Sequence, residues 1–320
     1  MTASHARLER RLLARIRRLN RAFRLIEPGD HVLVACSGGK DSWALLFLLR
    51  AYRRHLPFSF ELTAVTVDQG HPGFDAGALA DAFAAHGFAH RIVFQDTLSV
   101  VRAKIPEGAT PCPLCSRLRR GILYRVAGEI GATKIALGHH ADDAIETLLM
   151  NQFFAGQIKA MPPRLVSDDG RHVVIRPLAW AFEREVAAYA AGLAVPIVPC
   201  DLCGSQPDHR RTFVRRLLDE LERDAASIRR SLLASLAHPV PTHLHLPSPP
   251  ETRPASADPT TEPQVPDVPA ASITPRPPSK PALPAGRRGS MVPLEAGGDN
   301  PPPAPDPVNR AARSRRRSYR

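Results

Sequence analysis

The chain has 320 residues, 43% of them hydrophobic, with 33 Pro and a formal charge of +12. That length supports one large core or two modest ones, and the composition excludes a coiled coil, a collagen or a porin. The most apolar stretch, Trp43 to Leu49, is far short of the roughly 20 residues that cross a bilayer, so no membrane span is expected.

Nineteen of the 33 prolines lie after Leu246. Pro, Ala, Ser and Thr dominate there with almost no aromatics, too little apolar surface to offset the entropy of ordering. The sequence therefore predicts a folded body and a disordered Pro-rich tail over 247–320. Residues 241–320 hold 11 Lys+Arg against 7 Asp+Glu, so the body keeps +8 of the +12. A cationic body is the expected footprint of a polyanion such as RNA. Five Cys, four of them in two CxxC pairs, fit metal ligands or redox groups in a reducing cytoplasm better than a secreted disulfide framework.

In chain order, residues 1–27 predict a basic amphipathic helix, with Leu8, Leu12, Ile16, Leu19 and Phe23 on one face and arginines around them. Transit peptides share this Arg-rich, acid-poor look. This helix, however, runs through Glu27-Pro28-Gly29-Asp30 into a strand without a cleavage-like break, so a fixed helix is expected. Strands are predicted at His31–Cys36, Glu61–Asp68, Phe88–Phe94, Lys134–Gly138 and His172–Arg176, with helices between them. Leu45, Leu48, Leu49 and Tyr52 mark one helix face; Leu118, Ile122 and Val126 mark a second; Ile145, Leu148 and Leu149 mark a third. The alternation argues an α/β fold, a parallel sheet with helices on both faces and ligand sites at the strands' carboxyl ends. Residues 28–205 would form this domain, and 206–246 a C-terminal helical element around 213–221 and 225–236.

The first strand ends in Ser37-Gly38-Gly39-Lys40-Asp41-Ser42, and an apolar helix follows at once. Glycines let the backbone approach an anion, a helix start supplies free N–H groups and the positive dipole end, and Lys and Ser add donors. The pattern is neither GxxxxGK[ST] nor GxGxxG. It resembles the signature of the PP-loop ATP pyrophosphatases, which cleave ATP between its α and β phosphates to adenylate a substrate. In that fold Asp68, closing the second strand, would meet the adenosine. A second cluster, Gly138-His139-His140-Ala141-Asp142-Asp143, ends the fourth strand, where Asp142 and Asp143 are candidates to share a Mg²⁺ with the phosphates.

Read from spacing alone, Cys112-Pro113-Leu114-Cys115 and Cys200-Asp201-Leu202-Cys203 suit a Cys₄ zinc site or an iron–sulfur cluster with one open iron. The flanking residues narrow this. Pro111 to Tyr124, the Gly138 to Thr147 block, Lys159-Ala160-Met161-Pro162-Pro163, Ile175-Arg176-Pro177-Leu178 and Pro199 to Gln206 together resemble the tRNA cytidine 2-thiolation enzymes, TtcA-type. The resemblance runs from the first helix to Leu246 and leaves out the tail.

That resemblance implies an ATP-dependent sulfurtransferase that makes 2-thiocytidine in a tRNA anticodon loop, at cytidine 32, with a [4Fe-4S] cluster on Cys112, Cys115 and Cys203. Cys203 is preferred to Cys200, and Cys36 reads as a small strand residue. It further implies ATP on Ser37, Gly38, Gly39, Lys40, Asp41, Ser42, Asp68, Gly138 and His139, with Lys40, Asp41 and Asp143 in the chemistry. Arg117, Arg119 and Arg120 would hold tRNA phosphates. A cysteine desulfurase is the expected sulfur donor, and a homodimer is left open. Two rival readings are a tRNA isoleucine-lysidine synthetase, which shares the loop but needs no cysteines, and a non-enzymatic RNA-binding protein with a Cys₄ zinc site.

Overall fold

A computed structural model describes residues 3–106, 112–167, 169–198 and 209–245. The tail lies outside these residues, as do Cys200 and Cys203 and the side chain of Cys112.

Helix α1 (Ala3–Phe23) leads to β1 (His31–Ala35), α2 (Lys40–Arg53), β2 (Glu61–Asp68), α3 (Ala76–Ala85) and β3 (His90–Phe94). Then come α4 (Leu98–Lys104), α5 (Cys112–Glu129), β4 (Lys134–Ala136), α6 (Ala141–Ala155), β5 (Arg164–Val166) and β6 (Val173–Ile175). Helices α7 (Glu183–Ala190), α8 (His209–Asp224) and α9 (Ile228–Ser235) follow. Five of the strands are those expected from the sequence, trimmed at some ends. The sixth, β5, is a short exposed edge strand without the alternation that marks a half-buried one.

The sheet order is β3-β2-β1-β4-β6-β5. All neighbours pair in parallel except β5 with β6. The chain winds outward from β1 to β3 and then crosses back to β4 on the other side of β1. Strand order thus reverses at β1, and in such sheets ligands bind beyond the carboxyl ends at the reversal.

Alternation along the strands divides the core. Val32 and Val34 of β1 and Ala64 of β2 face a layer built from α1, α2, α3 and α7, with Leu12, Ile16, Leu19, Trp43, Leu46, Phe83 and Tyr189 fully buried or nearly so. Leu33, Val65 and Ile135 face the opposite way, onto Ile122, Leu123, Val126 and Ala127 of α5. Burying a side chain such as Leu12 contributes about 1.5–3 kcal/mol, so α1 is part of the fold. Glu185 of α7 reinforces it by accepting from both Arg11 and Arg15. Ile145 and Leu149 of α6 form a third cluster with Val214 and Leu218 of α8. No helix among the described residues is long and apolar enough to cross a membrane.

Candidate active site

The loop after β1 has the geometry of an anion cradle. Gly38 holds φ +80°, and Gly39 caps α2. Ser37 Oγ accepts from Gly39 N–H at 3.3 Å, and Ser42 Oγ donates to the Gly39 carbonyl at 2.8 Å. The loop after β4 comes against it: a Cβ on Gly138 would lie 3.1 Å from the Asp41 carbonyl carbon and oxygen. A side chain here would push the two loops apart by a few tenths of an ångström, so glycine suits this close approach. The structure thus brings the Ser37–Ser42 loop and the Gly138–Asp143 block together beside β1 and β4, at the reversal.

Lys40 Nζ donates to Asp41 Oδ2 and to Glu183 Oε1, each at 3.0 Å. Burial works against the Lys40 charge, but these two carboxylates outweigh it and raise its pKa. Burial likewise opposes the Glu183 carboxylate, and Lys40 outweighs it and lowers its pKa. The sequence reading missed Glu183. Its signal was the acidic first turn of α7, where Glu183 and Glu185 open the helix after Phe182.

His139 is set just outside α6, with His140 as the N-cap. Burial, aided by Arg176, Arg211 and His140 and opposed by Asp143, lowers the His139 pKa to about 4. Its Nδ1 and Asp41 Oδ1 are buried without a hydrogen-bond partner. Such unpaired polar atoms cost free energy unless a ligand or water satisfies them, and here they lie in the two loops that meet at Gly138. His139 Nδ1 fits a polar ligand as donor or acceptor, and Asp41 Oδ1, an acceptor only, fits one that brings a hydrogen-bond donor or a cation.

Asp142 and Asp143, the candidates for Mg²⁺ from the sequence, are engaged by partners within the protein in this structure. Asp142 Oδ2 accepts from Glu183 N–H at 2.7 Å and Oδ1 from Arg229 at 2.9 Å. Asp143 Oδ2 accepts from His140 N–H at 2.9 Å, and Oδ1 faces Arg211 at 3.5 Å. The free N–H groups of a helix start and the arginines of α8 and α9 take these oxygens, so the pair caps α6 and ties it to its neighbours. Among the described residues, no group of three or more His, Cys, Asp or Glu side chains could hold a metal ion.

Asp68 also serves its own turn, accepting from Gly70 N–H at 2.9 Å. The next residue, Gln69, has a buried side chain whose Nε2 donates to Thr97 Oγ1 at 2.7 Å and to Cys115 Sγ at 3.2 Å. Cys115, in the first turn of α5, therefore sits at the carboxyl end of β2, the strand beside β1. Sulfur and phosphate loop share one edge of the sheet. Arg176, buried just beyond β6, has its pKa lowered by burial and by the charge of Arg120 on α5, so cations gather on the same side. Cys36 is different. It is buried among apolar side chains, which push its thiol pKa far up, and this suits the small strand residue expected.

Fold and loop together define an α/β nucleotide-binding protein of the PP-loop class, and the PP-loop domain family matches residues 8–221. A tRNA-cytidine(32) 2-sulfurtransferase of Anaeromyxobacter sp. strain Fw109-5 is 52% identical over 239 residues, 75% of this chain and 79% of the relative. Its namesake in Nitrosospira multiformis is 53% identical over 222 residues, 69% of this chain and 74% of that one. The chain belongs to the tRNA-cytidine(32) 2-sulfurtransferase family of PP-loop proteins. In fold it is similar to the U34-tRNA thiolase NcsA from Methanococcus maripaludis with its [4Fe-4S] cluster, with TM-score 0.56, 24% identity, and 73% of this chain and 80% of that chain covered.

Proposed function

We propose that this protein is an ATP-dependent tRNA sulfurtransferase that converts cytidine 32 of the anticodon loop to 2-thiocytidine in the cytoplasm. The observation that carries this reading is the hydrogen bond from Gln69 to Cys115 Sγ, which puts a half-buried thiol at the carboxyl end of β2, next to the strand that feeds the phosphate loop.

ATP lies along Ser37 to Ser42, its phosphates taking the loop N–H groups and the start of α2. Lys40 exchanges Glu183 for phosphate oxygens and offsets the charge that develops as the bond to pyrophosphate breaks. The cytosine O2 attacks the α-phosphorus, pyrophosphate leaves, and the base becomes adenylated. Sulfur added at C2 then expels AMP, so that oxygen departs on AMP and sulfur takes its place without net redox change. Neutral His139, in the loop that meets the phosphate loop, would donate one hydrogen bond to a phosphate or exchange one with the base. Asp143, holding the start of α6, is a positioning residue. A base in an RNA loop reaches such an edge without melting a duplex.

Cys115 fits a [4Fe-4S] cluster: it is partly exposed, lies in a helix start whose dipole favours a negative group, and faces the same edge as the ATP loop. With Cys112 and Cys203 it would hold the cluster, which when bound supplies an open iron to present sulfide. A cysteine desulfurase is the proposed source of that sulfur, which leaves it as a persulfide and reaches the sulfide level by two-electron reduction with a thiol reductant. The test is anaerobic purification with iron and sulfide analysis, then mass spectrometry of nucleosides from tRNA incubated with ATP and sulfide. The expected result is 2-thiocytidine that is lost in Cys115→Ala while ATP binding persists. Continued thiolation by Cys115→Ala, or a metal-free protein that attaches lysine to tRNA, would overturn the proposal.

A further inference from the structure

Away from the ATP loop, α6 ends in a cluster of exposed rings. Phe153 and Phe154 are 50% and 43% exposed, and Phe213 of α8 is 43% exposed. Phe154 meets Phe153 edge to face at 6.2 Å and Phe213 at 6.3 Å, while the Arg210 guanidinium lies 5.1 Å from the Phe154 ring centre. Ile158, 69% exposed, follows in the next turn of chain. Single exposed apolar residues are ordinary, but a contiguous patch of them marks an interaction surface.

The charge around the patch selects its partner. Residues 147–167 hold Lys159 and Arg164 and no acid, and residues 209–218 hold Arg210, Arg211, Arg215 and Arg216 and no acid. Arg211 and Arg215 turn to Asp143 and Glu146 of α6, while rings bordered by Lys159, Arg164, Arg210 and Arg216 match the way unpaired bases are held: π-faces for stacking and positive charge for the phosphates between them. A second copy of this chain on the same patch would set Lys159, Arg164, Arg210 and Arg216 against the same four cations, a repulsive pairing. Along α6 the rings stand roughly 16 Å from Asp143 at 1.5 Å per residue, about the rise of five stacked nucleotides at ~3.4 Å each.

We propose that Phe153, Phe154 and Phe213, with Arg210, form a stacking platform for unpaired loop nucleotides of the tRNA, flanking the base that enters the ATP site. The proposal rests on the tRNA reading above. Binding of an anticodon stem-loop RNA, followed by fluorescence anisotropy across a salt series, tests it on the full chain. Phe154→Ala/Phe213→Ala should lower affinity about 5- to 150-fold, the range for one lost base stack, with the slope against log salt unchanged because no phosphate contact is lost. Phe154→Tyr/Phe213→Tyr should restore binding, and ATP affinity should stay at the wild-type value in both. Phe153→Ser, at the most exposed ring, serves if the double alanine variant does not fold.

Wild-type RNA affinity in the alanine variants would overturn the platform while leaving the sulfurtransferase reading standing. So would an unchanged affinity accompanied by a change in sedimentation, which would give the patch to a second copy. Failure of the wild-type chain to bind the RNA at all would overturn the tRNA reading and the platform with it.

Discussion

The backbone N–H of Val198 donates to the carbonyl oxygen of Gly38 at 3.0 Å, so the segment leading into the second CxxC pair is fastened to the phosphate loop itself. Trp43, one turn into α2, adds a second tie from its indole N–H to the Pro196 carbonyl at 2.9 Å. Whatever moves the loop is therefore felt two residues before Cys200.

Gly38 meets two demands in this arrangement. Its φ of +80° is costly for any residue with a side chain, and an added Cβ would stand 2.4 Å from Val198 Cγ2. Gly38→Ala should weaken ATP binding at least tenfold, with about 1–2 kcal/mol arising from the left-handed backbone alone. Adding Val198→Ala removes the Cγ2 contact but leaves the Val198 Cβ at 2.9 Å, so it should recover only part of that loss. Equilibrium dialysis with labelled ATP reads both, and full recovery in the double variant would show that backbone strain is not a factor.

Glu183 and Asp41 both accept from Lys40, so ATP phosphates at the proposed site would compete with a carboxylate for that ammonium. Glu183→Gln removes one negative charge next to the triphosphate site, and for a partly exposed pair the gain is about 0.5–1 kcal/mol. ATP should bind roughly two- to fivefold more tightly. Weaker binding, measured by calorimetry, would instead make Glu183 a residue that aims Lys40 at the phosphates.

His139 carries a pH signature. Its pKa falls from an ordinary value near 6.5 to about 4 in the fold, so the native protein keeps it neutral where the unfolded chain takes up a proton. Its contribution is fully present above pH 6.5 and is lost progressively as pH falls from 6.5 towards 4, amounting to a few kcal/mol at the lower end. Urea midpoints at pH 7, 6 and 5 should fall steadily in the wild type and less steeply in His139→Gln. Equal slopes would remove His139 as the cause.

Glu185 accepts from Arg11 and Arg15 while itself being largely buried, and burial opposes its charge, which the two arginines outweigh to lower its pKa. Glu185→Ala leaves both guanidinium groups without that acceptor at the α1–α7 contact and should cost roughly 2–3 kcal/mol. Thermal unfolding followed by circular dichroism should shift down accordingly. Deleting residues 3–23 should prevent folding altogether, because Leu12, Leu13, Ile16 and Leu19 are buried in the main core.

The strand–loop–helix character of residues 31–53 was legible because the motif is local: alternating Val32, Leu33 and Val34, two glycines, then an apolar helix. The basic helix and both helices beyond residue 209 were legible for the same reason, since 3.6-residue periodicity is a property of neighbours in the chain. The edge strand Arg164–Val166 was not, being three residues long and exposed. Nor did composition signal that Asp142 and Asp143 would be taken by Glu183 N–H, Arg229 and Arg211, because partners 40 to 90 residues away become neighbours only when α6, α7, α8 and α9 pack. The sequence by itself determined which atoms could do chemistry here: the loop amides, Lys40, the thiols, the histidines. Tertiary structure decided which of them are available, since the free energy of a buried charge or polar atom depends on whatever donor the fold sets within about 3 Å of it.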